Sequence, residues 1–176
     1  MTLSPIETVS AAIESLQDKV PVPQEYSMVP CYQLRVVKES VLKVPMFKVE
    51  DHMRAGEVFH AYLHDRPSEF LAVLLLDGQS NYLGIGTVAI GGLAEVKANV
   101  RDVMSHVIAG RAHAFILGHN HPSGDPTPSM KDLEFTQAVK EGAKILGCTM
   151  LDHIIVSSGM NKAIFSFLDS HILEEL

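Results

Sequence analysis

The sequence predicts an α/β fold built as a layered mixed sheet with helices on its faces, and three observations predict it. Short apolar runs of strand length, 70–76, 112–118 and 150–156, recur through the chain. Segments with helical apolar spacing are interleaved between them. The turns and helix ends carry their own punctuation in Gly, Pro, Asp and Ser. Strands that alternate with helices bury two sheet faces at once, which demands layers.

From the N-terminus, Ser4-Pro5-Ile6-Glu7 is a helix-start signature, with Ser as N-cap, Pro at the first helical position and Glu at the third. A short amphipathic helix to about Lys19 follows, broken by Val20-Pro21-Val22-Pro23. Residues 1–28 are thus expected to form a helix and linker, and 29–176 a single domain. Tyr32 to Val37 alternates like a strand, and Leu42 to Phe47 is a second apolar run. Glu50 to Leu63 has helical spacing, with Met53, Val58, Phe59 and Tyr62 among its apolar positions. Phe70 to Leu76 is nearly unbroken apolar sequence ending at Asp77-Gly78, as a buried central strand entering a reversal would be. Its expected hairpin partner is Tyr82 to Ile90.

Val100 to Ile108 resembles a helix closed by Gly110, and Ala112 to Gly118 is another buried strand. Ser129 to Leu146 carries the clearest helical pattern, with Phe135, Ala138, Val139, Ala143 and Leu146 assigned to one face and Gly147 as the stop. Met150 to Val156 closes the set of strong strands, and Ile164 to Leu168 adds an edge.

Composition bounds the function. An apolar fraction of 47% with 20% charged residues describes a globular protein with a real core. No apolar stretch approaches the roughly 18 residues that cross a bilayer, and the N-terminus does not show a basic segment followed by an apolar run. The expectation is a cytoplasmic protein with no membrane contact. Cys31 and Cys148 stand far apart in no C-x-x-C arrangement and are expected to be structural. A net charge of −7 with no basic run counts against direct DNA binding through phosphates.

The chemistry concentrates where the strand Ala112 to Leu117 ends, in Gly118-His119-Asn120-His121-Pro122-Ser123-Gly124-Asp125-Pro126-Thr127-Pro128-Ser129-Met130-Lys131-Asp132. In an extended chain, residues i and i+2 point to the same side, so His119 and His121 aim two imidazoles at one point. A rigid Pro- and Gly-rich loop then delivers Asp132 into the first turn of the next helix. Two imidazoles and a carboxylate leave one tetrahedral position open, as catalytic zinc sites do. Taken singly, each residue also has a structural explanation. Ser129 and an acid three residues later form a capping box, and Asp125 suits a turn before Pro126.

His119-x-His121, then seven residues, Ser129, two residues and Asp132 matches the JAMM metal motif of the MPN metalloprotease superfamily without a gap. The wording HNHPSGDPTPS, with Leu151-Asp152-His153-Ile154-Ile155-Val156 after the helix, resembles the RadC branch. The resemblance covers roughly Glu69 to Val156. It implies a three-layer α/β/α, cytidine-deaminase-like JAMM/MPN fold and Zn2+ held by His119, His121 and Asp132. It also implies a zinc metallopeptidase acting on a peptide or protein substrate, in which a glutamate accepts the proton of a water that zinc activates. Glu69, heading the strand Phe70 to Leu76, stands where relatives place that glutamate; Glu95, after Gly91-Gly92, is the competitor. Ser129 matches the serine that stabilises the oxyanion in JAMM enzymes. Longer RadC proteins carry a helix-hairpin-helix before this domain, and residues 1–60 show no such pattern, so the chain resembles the single-domain form.

The sequence departs from the branch at Gly84-Ile85-Gly86-Thr87 and Val100-Arg101, where relatives often have a Glu-containing strand and a Pro-Arg pair. Asp152-His153 lies close to the motif in the family, and its His is expected to be a buried, hydrogen-bonded residue of a core strand. His60 and His64 are four apart with no evident third ligand. The traditional RadC label offers an alternative, a DNA-repair-associated protein whose zinc site is not hydrolytic. A deaminase-like activity fits poorly, because neither H-x-E nor C-x-x-C is present. The oligomeric state has no signature in the sequence.

Overall fold

A computed structural model describes residues 30–31, 33, 36–44, 48–49, 51–91, 98–158 and 162–176. The chain divides into two compact units, 1–33 and 34–176. Only residues 30, 31 and 33 of the first are described, so the expected helix from Ser4 to Lys19 lies outside the described residues. All elements below belong to the second.

Helix α1 (His52–Leu63) starts at Asp51, whose carboxylate accepts the N–H of Arg54 at 2.8 Å. It turns Ala55, Val58, Phe59 and Leu63 inward. Strand β1 (Phe70–Leu76) and β2 (Tyr82–Ile90) pair antiparallel as a hairpin. Asp77 organises the turn: its carboxylate accepts the N–H groups of Gln79 and Asn81 and the Asn81 amide. The left-handed residue there is Ser80 (φ 63°), not Gly78.

Helix α2 (Val100–Ala109) leads into β3 (Ala114–His121). Helix α3 (Met130–Ile145) then crosses to β4 (Thr149–Ser157), parallel to β3, with Gly147 in the left-handed conformation (φ 71°) supplying the stop between them. Strand β5 (Ile164–Ser166) and a short α4 (Ile172–Glu175) follow. The sheet order is β2-β1-β3-β4-β5.

Alternation along the central strands creates three layers. Ala72, Leu74 and Leu76 of β1 join Ala114 and Ile116 of β3 against α1. Leu71, Val73, Phe115 and Leu117 face the other way, onto Val103, Met104 and Val107 of α2 and Val139 and Ala143 of α3. The fold is therefore α/β/α around a mixed sheet, as the sequence leads one to expect. Burying a Leu or Phe fully is worth about 1.5–3 kcal/mol, and Phe59, Leu63, Leu74, Leu76, Phe115 and Leu117 are all in that state.

Three expectations are corrected in detail. Residues 36–37 and 42–44 join no ladder, although Leu42 and Val44 pack against the α1 layer; the rest of 32–37 and of 42–47, apart from Gln33, lies outside the described residues. The inward stripe of α3 is Thr136, Val139 and Ala143, while Ala138 and Leu146 are exposed. Thr136 is inside because its hydroxyl has partners there, described below. Finally, β3 runs three residues past Gly118, through His121.

Candidate metal centre

The site forms where the β3 end meets the start of α3. The β3 alternation that sends Phe115 and Leu117 toward α3 sends His119 and His121 there too, whereas Gly118 and Asn120 face α1. Close packing enforces this: a Cβ at Gly118 would stand 2.4 Å from the ring of Phe59. The ladder to β4 continues under the motif, with His119 opposite Ile155 and His121 opposite Ser157, so the backbone stays extended despite polar side chains.

Glu69, His119, His121 and Asp132 converge, each offering one donor atom within 4.8 Å of the others. Among the described residues they are the one such group. The His119 and His121 Nε2 atoms lie 2.9 Å apart. Asp132 Oδ1 is 3.4 Å and Glu69 Oε1 3.9 Å from His119 Nε2, and Asp132 Oδ2 is 3.9 Å from His121 Nε2. His119 is 2% exposed, while His121, Asp132 and Glu69 are 16–17% exposed at the side chain, so the cluster is open on one side.

The donor set fits a divalent cation. His121 Nδ1 lies 2.8 Å from the Asp125 carbonyl, an acceptor only, so Nδ1 carries the proton and Nε2 presents a lone pair. That lone pair faces the other Nε2 and two carboxylates, a concentration of acceptors that calls for a positive charge between them. Burial, opposed by Asp132 and reinforced by His121, holds the imidazole of His119 well below its ordinary pKa, to about 4. It is neutral near pH 7, the form that ligates metals.

Asp132 is held from its own helix. Ser129 N–H donates to Asp132 Oδ2 at 2.7 Å and Ser129 Oγ–H at 2.6 Å, while Ser129 Oγ accepts the Asp132 N–H at 3.3 Å. The capping box and the site thus share the same two residues. Asp125 behaves as a turn residue, its carboxylate accepting the N–H and hydroxyl of Thr127, which hold it below the usual carboxylate range.

His153 is buried and hydrogen-bonded on β4, with His119 and Thr136 as its partners. Asn120, bonded on either side of Glu69, and Thr136, bonded to Asp132 and His153, are tied to the cluster without being singled out by the motif alone. Strand alternation for the first, and its position one helical turn after Asp132 for the second, are the available signals. Glu95 lies outside the described residues. His60 and His64 stack at 5.1 Å, apart from the cluster. Cys31 and Cys148 are both free.

Comparison with known proteins agrees with this architecture. The family model for the RadC-like JAB domain matches residues 49–172. The chain belongs to that family. It is 37% identical over 125 residues, 71% of its length and 54% of the relative's, to a UPF0758 protein of Porphyromonas gingivalis. A UPF0758 protein of Pelobacter propionicus is 41% identical over 103 residues, 58% of this chain and 45% of the other. One of Carboxydothermus hydrogenoformans is 42% identical over 99 residues, 56% and 43% respectively. The chain spans about half the length of the curated relatives it matches.

Proposed function

We propose that this domain is a zinc metallopeptidase of the JAMM type that hydrolyses peptide or isopeptide bonds. The observation that carries the reading is the arrival of the Glu69 carboxylate, from the residue just before β1, at the point where His119, His121 and Asp132 converge. His119, His121 and Asp132 would hold zinc, and Glu69 would stand beside it as the base. When bound, zinc supplies a Lewis acid that lowers the pKa of water toward ~7 and polarises a carbonyl.

The residues of the chain do the rest. Glu69 takes the proton from the attacking water and returns it to the leaving amine. Asp132 and the two imidazoles provide a partly dry pocket of oxygen and nitrogen donors suited to a divalent cation. Ser129 assists the developing oxyanion by turning its hydroxyl away from Asp132 Oδ2, where it donates in the resting state.

No helix among the described residues is long and apolar enough to cross a membrane. With free cysteines in keeping with a reducing compartment, we place the protein in the cytoplasm, acting on a peptide or protein partner. The test is metal analysis beside a hydrolysis screen on peptide and isopeptide libraries. Wild type carries one zinc and cleaves; His119→Ala and Asp132→Ala lose both. Glu69→Gln keeps the zinc and loses about 10²–10⁴-fold in rate. Zinc-free wild-type protein would sink the reading, and a zinc protein that cleaves nothing would favour the DNA-associated, non-hydrolytic alternative.

A further inference from the structure

We propose that His153 and Thr136 form a one-way hydrogen-bond relay that sets the tautomer of His119 and so creates its metal-binding lone pair. The relay rests on the zinc reading for its purpose, but its geometry stands alone. It begins at a backbone carbonyl, which can only accept. Thr136 Oγ–H donates to the Asp132 carbonyl at 2.5 Å. With its proton so committed, Oγ must accept from His153 Nδ1–H, 2.6 Å away. A neutral His153 protonated at Nδ1 has a bare Nε2, which accepts from His119 Nδ1–H at 2.8 Å. His119 Nε2 is left bare, pointing at His121, Asp132 and Glu69.

Reversing any bond reverses the outcome. Were His153 protonated at Nε2, His119 would accept at Nδ1 and carry its proton on Nε2, aimed into the cluster and useless for ligation. Thr136, His119 and His153 are 0%, 2% and 1% exposed, so water offers no substitute partner. The ring of His153 is further fixed by stacking on Phe167, with centroids 4.8 Å apart and planes 20° from parallel. Asp132 therefore serves twice, by its carboxylate toward the cluster and by its carbonyl as the anchor of the relay. Thr136 and His153 are positioning residues, acting only through His119. Ligand imidazoles oriented in this way are a recurrent feature of metal sites.

The test separates the relay from packing and from the metal reading. His153→Phe keeps the ring stack on Phe167 but removes the acceptor; His153→Gln restores an acceptor oxygen near the Nε2 position. Thr136→Val removes the hydroxyl at constant shape, and Thr136→Ser returns it. Zinc affinity, by competition with a chromophoric chelator, is expected to fall about 10- to 100-fold in His153→Phe and to recover to within about 3-fold of wild type in His153→Gln. Thr136→Val should weaken binding and Thr136→Ser should not. Imidazole 15N shifts of the zinc-free protein should report Nδ1–H on His119 in wild type and Thr136→Ser, and a tautomer mixture in Thr136→Val. A His119 that is Nε2–H in zinc-free wild type, or unchanged in Thr136→Val, overturns the relay whether or not zinc binds. So does a His153→Phe protein that folds and binds zinc like wild type. If wild type binds no zinc while the shifts behave as expected, the relay stands and the zinc reading falls.

Discussion

Asn120 Oδ1 accepts the backbone N–H of Phe70 at 2.8 Å, and the same amide donates to the Ser68 carbonyl at 2.9 Å. One fully buried side chain thus brackets Glu69 on both sides. Because Asn120 lies between the two histidines of the H-x-H, strand alternation turns it toward β1 and the α1 layer while they face α3. The histidines point into the cluster, and the residue between them fixes the backbone that carries Glu69.

Removing this clamp should therefore damage chemistry more than metal binding. Asn120→Ala leaves a part-buried N–H and a part-buried carbonyl without this partner, at about 0.5–1.5 kcal/mol for each lost bond. We expect a lower unfolding midpoint in urea, one zinc still bound, and at least about a tenfold lower kcat from the misplaced Glu69. Loss of zinc in a folded Asn120→Ala protein would show that the clamp serves the ligands instead.

Ser129 offers a second separation of roles. Its hydroxyl both caps α3 and donates to Asp132 Oδ2. Ser129→Ala should cost about 1 kcal/mol of stability as a lost N-cap. It should also weaken zinc about tenfold, because Asp132 loses a bond that orients it. At saturating zinc, a remaining fall in kcat of about 10²-fold is the expected mark of an oxyanion contact. Full recovery of kcat at saturating zinc would confine Ser129 to the helix start.

How much of this was legible in the sequence follows from what each residue does. The bounds of β1 and β2 are those of apolar, β-branched runs and their Asp77 turn, because the same burial that selects those residues makes the strands. The convergence of His119, His121 and Asp132 could be anticipated from spacing, since H-x-H, a rigid loop and a helix-start acid keep a fixed order in the chain, whereas Glu69 could be named only through the resemblance to RadC relatives. The extension of β3 through His121 could not, because polar side chains end the apolar pattern while the ladder to β4 holds the backbone regardless of side chain. Thr136 was hidden for a related reason. Apolar periodicity assigned Ala138 and Leu146 to the inward face of α3, whereas the stripe admits a polar residue whose partners, Asp132 and His153, come from two elements. The approach of Glu69 within 3.9 Å of His119 is likewise a tertiary fact.

Gly118 tests how tightly the site is tied to the core. A methyl there would sit 2.4 Å from two ring carbons of Phe59, itself fully buried on α1. Neither the strand nor the helix can move without opening a layer, so Gly118→Ala should cost about 1–3 kcal/mol. Since His119 is the next residue, zinc affinity should fall with it. The double variant Gly118→Ala, Phe59→Leu, which makes room for the methyl, should recover part of both in calorimetry and chelator competition. No recovery would mean that the glycine acts through something other than Phe59.

Asp152 lies on the opposite sheet face from His153 and anchors the chain after β5. Its carboxylate accepts the N–H of His153 at 2.7 Å, the N–H of Leu168 at 2.9 Å and the hydroxyl of Ser166 at 2.6 Å. Burial nevertheless outweighs these bonds and raises its pKa above the ordinary value of 3.8. A carboxyl with a raised folded-state pKa takes up its proton first in the folded protein. Its contribution therefore favours folding most at pH below the unfolded value and is lost as pH rises through the folded value. Asp152→Ala should cost at least about 2 kcal/mol at neutral pH, since it strands two buried donors and one part-buried donor. Asp152→Asn keeps an acceptor and carries no charge, so it should cost much less. As pH is lowered from 7 toward 4, wild type should gain stability relative to Asp152→Asn, measured by urea unfolding at each pH. A difference between the two that stays flat across that range, or moves the other way, would show that the hydrogen bonds, not burial, dominate at this carboxylate.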